Sequence, residues 1–438
     1  FLLAAARRIA ESHAEALGGK ADYQHSLRLV INKCIYGVDL NPMAVELART
    51  ALWLEGYEPG KPLGFLNHHI KCGNSLVGLT DLAVLKKGIP DAAYKALSGD
   101  DKKHSGHLRK RNQEELNQSK ELGLFDNLTE NVQLTNLYIE LEKMEDTSLL
   151  DIQKKELAYK NFMQNEDFLR LKTACDLWMA AFFMEKEKKA IVPTSEDLKL
   201  ILEGLPESAF QVGVREKSQV IAKEVLFFHW PIEFPDVFLK GGGFDCVLAN
   251  PPWERLKLQE EEFFASRSPE IANAKNKAER GKKIADLVKS KNQNEKDLHA
   301  AFEKAKRHSE ATSNFAHLYE NENGRYPLTG IGDVNSYALF AELILYLKSI
   351  NGRAGFITPS GIATDDSTKT YFSHIATKGM LHSFYDFENR ESLFPAVDSR
   401  FKFALQTLGP APYTDFAFFL SNVSQLADER RHFTLSPE

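Results

Sequence analysis

Asn250, Pro251, Pro252 and Trp253 follow directly on the apolar run Phe244–Ala249, and their order suits one kind of chemistry. Gly241, Gly242 and Gly243 precede the run and two prolines end it, which predicts a short buried strand entering a rigid turn. Pro251 pushes Asn250 out of the α region, and Pro252 does the same to Pro251. The Asn250 side-chain carbonyl and the Pro251 main-chain carbonyl are then free acceptors, because prolyl nitrogens donate nothing to the turn. Two adjacent neutral acceptors suit a planar NH2 group, and the face of Trp253 suits a planar ring. The stretch fits an exocyclic amino group on a base. A strand entering a Pro-Pro loop with a core tryptophan is the plain structural alternative.

Two further strand ends carry polar residues. A strand over 34–39 ends in Asp39, and Asn41-Pro42 supplies the N-cap and first-turn proline of a helix reaching about residue 54. Nucleotide-binding α/β folds place a ribose-binding carboxylate at such an end, with a simple capping or turn aspartate as the alternative. A strand candidate over 65–71 leads into Cys72, Gly73 and Asn74, where glycine permits a tight turn and the amide can read an adenine edge. No metal-ligand set is expected. His68, His69 and Cys72 are close in sequence, but alternation along a strand end would aim them in different directions. Cys34, Cys72, Cys175 and Cys246 form no Cys-x-x-Cys pair, which argues for a reducing cytoplasm and against disulfides or a zinc site.

The elements that must hold these ends are spread along 438 residues, a length for two or three domains. The net charge is -6, so any nucleic-acid contact must come from local patches. No apolar run approaches the ~20 residues of a membrane helix; 338–347 comes nearest and carries Glu342. Residues 1–17 read as a helix stopped at Gly18-Gly19, and 23–33 as a second. Segment 1–9 is too short and wrongly flanked for a signal peptide, and with no initiating Met the chain is expected to begin mid-fold. Residues 81–239 read as a charged helical insertion closing on an aromatic run, 227–235, that packs on the core. A second charged insertion follows over 256–330, ending its helical texture near Asn323. Its Lys277, Arg280, Lys282, Lys283 and Lys289 make a solvated helix face, with phosphate contact the minority reading. Segments 1–80, 240–255 and 331–438 are left as the core. The last has a helix over 336–350, strands over 353–359 and 381–387, a helix over 368–378 and a final strand over 401–408.

Together these residues resemble adenine-specific DNA methyltransferases of the gamma class, the long kind found in restriction-modification and BREX-type phage-defence systems. The likeness rests on Phe1-Leu2-Leu3 (the tail of a Gly-x-Gly-x-Phe-Leu cofactor loop), 36–44, 72–76, 244–253, 355–361 and 387–408, under half the chain. It implies a class I methyltransferase fold, α/β and Rossmann-like, with a mostly parallel seven-stranded sheet. Phe1, Asp39, Leu40, Asn74 and Ser75 would line the S-adenosylmethionine site, although relatives often have aspartate where this chain has Asn74. Asn250, Pro251, Pro252 and Trp253 would be catalytic, with no metal needed. Trp253 would stack on an adenine flipped out of double-stranded DNA, and Phe394 would lie against it. A cytoplasmic, site-specific adenine methyltransferase is expected, with other defence subunits as candidate partners and no membrane. The family's central strand and its glycine loop are expected upstream of Phe1, leaving a slot between 35–39 and 245–249. A protein glutamine-amide methyltransferase shares the Asn-Pro-Pro-aromatic chemistry and is one alternative; a non-catalytic DNA-binding or assembly piece is the other.

Overall fold

Asn41 starts the helix Pro42–Glu55 by accepting the Met43 N–H at 2.9 Å, with Pro42 in the first turn. The computed structural model describes residues 1–18, 22–121, 132–318 and 324–437. Gly19 of the expected helix stop and Asn323 of the expected insertion end lie outside the described residues. The helix Tyr23–Cys34 runs through the first expected strand residue, so β1 is only Gly37–Asp39. β2 is likewise short, Ile70–Cys72, because residues 67–69 form a turn in which the His69 and Ile70 amides both donate to Leu66 O. β1 and β2 pair in parallel, and Asp39 stands opposite Cys72.

β3 (Phe244–Ala249), β4 (Lys348–Pro359), β5 (Leu381–Glu388), β6 (Lys402–Leu408), β7 (Thr414–Leu420) and β8 (His432–Leu435) form a second sheet in the order β3-β4-β6-β5-β7-β8. β3/β4 and β5/β7 are parallel; β4/β6, β5/β6 and β7/β8 are antiparallel. The sheet is therefore mixed, where a mostly parallel one was expected. A parallel neighbour needs a long crossover, usually a helix, and only short 3-10 turns separate β5 from β6 and β7 from β8. The strand expected to be the last, β6, is followed by two more.

β3 also departs from the buried strand expected of it. It is an edge strand paired only with β4, and Asp245, Cys246 and Leu248 are exposed. β1 and β3 share no ladder, so each keeps one edge unpaired among the described residues. They begin side by side nonetheless. Tyr36, just before β1, and Phe244, opening β3, have ring centroids 5.4 Å apart and both pack on Phe234.

Between β2 and β3 the described residues form helices and turns and no further strand, apart from a single parallel bridge between Asn74 and Phe227. The helix Glu166–Phe183 is buried along most of its length and shares one core with Phe227, Phe228, Trp230 and Phe234, as the aromatic run predicts. The basic run folds as the helix Lys277–Lys289. Arg280 pairs with Glu260 and Glu261, Lys283 with Glu270 and Glu279, and Lys289 with Asp286. Among the described residues no helix is long and apolar enough to cross a membrane.

The helix Ser336–Leu347 packs under the second sheet and carries the fully buried Glu342. Its carboxylate accepts the Leu328 and Thr329 amides and the Thr329 hydroxyl, fixing the approach to the helix. Burial outweighs these donors and pushes its pKa up to about 7. The folded chain then holds a proton that the unfolded chain releases near 4.5. Stability present below pH 4.5 is lost as pH rises through about 7, by on the order of 3 kcal/mol. Urea unfolding from pH 5 to 8 should show this fall, and Glu342→Gln should flatten it. An equal slope in both proteins would remove Glu342 as its source.

Candidate active site at the strand ends

The turn after β3 is held from one side. Ser336, at the start of its helix, donates its hydroxyl to Pro252 O at 2.7 Å, and its amide donates to Glu254 O at 2.8 Å. The Leu256 amide donates to Val334 O, which continues the clamp. The two groups left over are the ones of chemical interest. The exposed Asn250 side chain and the Pro251 carbonyl have no hydrogen-bond partner among the described residues, although their neighbours at 252 and 254 do. Both stand at the carboxyl end of β3.

Trp253 is half-buried against Phe387 and Phe403, and its indole N–H is buried without a partner. Its ring stacks on Phe401, centroids 5.4 Å apart and 12° from parallel. Phe394 meets Phe403 edge-on at 5.0 Å, so Trp253 and Phe394 lie against the same aromatic cluster. The buried Asn389 fixes the Phe394 loop: it donates to Phe394 O and Val397 O and accepts the Phe394 amide, all at 2.8–2.9 Å. Sequence reasoning missed Phe401, Ser336 and Asn389. Each reaches the site through tertiary folding, and only the aromatic type of Phe401 offered a signal.

Asp39 and Asn74 come together on adjacent strand ends. The Gly73 amide donates to Asp39 O at 2.9 Å, and the Cys72 thiol lies 3.6 Å from Leu40 O. Asp39 Oδ1 accepts the Asn41 amide in a turn just ahead of the helix that Asn41 caps; Oδ2 of this exposed residue has no partner among the described residues. Asn74 Oδ1 accepts the Leu76 amide at 3.2 Å, leaving its NH2 as the free group. Ser75 contributes its main-chain oxygen to Arg325 and Trp230 inside the protein. Leu40 is 56% exposed and Phe1 67% exposed, the latter at the start of the helix Leu2–Ala16.

His68 and His69 do not diverge as expected. The turn at 67–69 replaces strand alternation, and their imidazoles stack with centroids 4.0 Å apart, away from the exposed Cys72.

Comparison with known proteins gives the chain a family. Over 282 residues, 56% of the chain, the sequence is 26% identical to a Methanocaldococcus jannaschii protein named "Putative type II restriction enzyme and methyltransferase". The matched stretch is 20% of that protein's length. The family model described as Eco57I restriction-modification methylase matches residues 33–302, more than half of the chain. That span contains β1, β2, β3 and the turn at 250–253, and the chain belongs to the Eco57I restriction-modification methylase family.

Proposed function

We propose that the protein transfers a methyl group from S-adenosylmethionine to the N6 amino group of an adenine flipped out of duplex DNA, on a class I methyltransferase core made of segments 1–80, 240–255 and 331–438. The observation that carries this reading is the pair of unpartnered acceptors, Asn250 Oδ1 and Pro251 O, on a turn held by bonds to the Pro252 and Glu254 carbonyls. An aromatic amino group donates both its N–H bonds, and its lone pair is spread into the ring. Accepting both hydrogens draws the nitrogen toward tetrahedral geometry and localises that lone pair. Fixed neutral dipoles do this with little reorganisation. Trp253 supplies the face against which a planar base rests, and Phe394 closes its side.

The residues at the ends of β1 and β2 fit the cofactor. The free Oδ2 of Asp39 suits a ribose diol, and the Asn74 NH2 suits a ring nitrogen of an adenine. Asn74 therefore donates where an aspartate would accept. Leu40 offers apolar surface beside them. Bound S-adenosylmethionine supplies an electrophilic methyl group.

The decisive experiment incubates the intact protein with labelled S-adenosylmethionine and either adenine-containing duplex or a glutamine peptide. N6-methyladenine in the digested DNA is the expected product. Label in the peptide would identify an amide methyltransferase, and DNA binding without transfer a non-catalytic piece. Asp39→Ala should weaken S-adenosylmethionine binding in calorimetry by about 10- to 100-fold, since hydrogen bonds to a charged group contribute ~1.5–3 kcal/mol. An unchanged affinity would leave Asp39 as a turn residue alone.

A further inference from the structure

The ends of β1 and β2 opposite to Asp39 and Asn74 hold a second cluster. His68 and His69 are fully buried, and Glu142 reaches them from the helix Val132–Lys143 with its side chain 16% exposed. His68 Nε2 lies 3.0 Å from one Glu142 oxygen, and His69 Nε2 lies 3.2 Å from the other. These contacts are close without being hydrogen bonds: all four ring nitrogens and Glu142 Oε1 lack a hydrogen-bond partner. Buried polar atoms left so cost about 1–3 kcal/mol each, and the two Nε2 atoms and the Glu142 carboxylate, which face one another, point to something they share. Ligand atoms from these three residues all lie within 4.8 Å of one another. Ions held by bonds of about 2.0–2.1 Å in a tetrahedral shell keep their ligand atoms ~3.3 Å apart, close to both measured separations.

We propose that His68, His69 and Glu142 bind one divalent transition-metal ion of the zinc type. Two imidazoles with one carboxylate are a nitrogen and oxygen set suited to Zn2+ and unsuited to Ca2+ or Mg2+. The fourth position falls to water, because no further side-chain ligand atom among the described residues lies within reach of all three. Tyr36, whose hydroxyl donates to Asp236 Oδ2, packs its ring 3.9 Å from His69. The stack Phe65, His68, His69, Tyr36 holds both imidazoles in place. The ion clips the helix Val132–Lys143 to the start of the two-stranded sheet. Its role is structural, and it is independent of the methyl-transfer reading.

The purified protein, stripped with chelator and dialysed, should take up one equivalent of Zn2+ or Co2+. The Co2+ form should show the intense ligand-field bands of a low-coordinate ion, lost on adding Zn2+. X-ray absorption at the zinc edge should show imidazole and oxygen neighbours with no sulfur. Glu142→Gln should abolish stoichiometric uptake with its circular dichroism kept, and Cys72→Ser should not change it. Absence of stoichiometric binding by the unsubstituted protein, or sulfur at the zinc, overturns the proposal whatever the variants do. Full uptake by folded Glu142→Gln overturns it as well.

Discussion

Asn250→Ala in the intact protein is expected to cut methyl transfer about 100- to 1,000-fold while leaving the fold unchanged. The size follows from removing one preorganised polar contact to the reacting group, about 2.7–4 kcal/mol at the transition state. The sparing of the fold follows from the residue's surroundings. Asn250 is exposed and makes no hydrogen bond to the described residues, so alanine leaves no buried group unpaired. The turn itself is kept by Pro251, Pro252 and the Ser336 clamp. Single-turnover transfer from labelled S-adenosylmethionine, set beside the thermal midpoint, separates the two effects. Transfer at the parental rate would exclude the amide from the chemistry. A fall in rate matched by a fall in midpoint would make Asn250 a structural residue.

The parts of this site that the sequence reveals are the ones built by local chemistry. Proline geometry sets Asn250 and Pro251 at a strand end, and the Asn41-Pro42 cap marks the end of β1 within a residue or two. What lies outside the reach of local pattern is direction and partnership. An apolar run such as 401–408 reads as a strand, but nothing in it says that β6 would run antiparallel to both its neighbours. Apolar content predicts burial for β3, yet only the sheet order reveals that β3 is an edge. The histidines show the same limit at smaller scale. Treating 65–71 as one strand separates His68 from His69, whereas the turn at Leu66 turns both rings to one side. Glu142, which meets them, belongs to a different helix altogether. The Glu142 contacts and the Trp253–Phe401 stack are products of the tertiary fold, and no spacing rule reaches them.

Trp253→Ala is expected to lower retention of a flipped base by about 5- to 150-fold, matching the ~1–3 kcal/mol that a base gains on an aromatic face. Trp253→Phe should be milder, because it keeps a ring and removes an indole N–H that is buried without a partner. Under the proposed function, Phe401 decides how the base gets in. Its ring lies 5.4 Å from Trp253 and nearly parallel, whereas a base sandwiched between two rings needs them ~6.8 Å apart, twice the ~3.4 Å stacking distance. A base therefore displaces Phe401 instead of slipping between the pair. Breaking such a stacked pair costs about 0.5–1.5 kcal/mol, which in the proposed mechanism would oppose flipping. With 2-aminopurine at the target position, fluorescence reports the unstacked base directly. Trp253→Ala should lower that signal, and Phe401→Ala, which is 41% exposed in the parent and removable without a cavity, should raise it. A lowered signal in Phe401→Ala would show that Phe401 holds the base as a second wall, and an unchanged signal in Trp253→Ala would remove the tryptophan from the site.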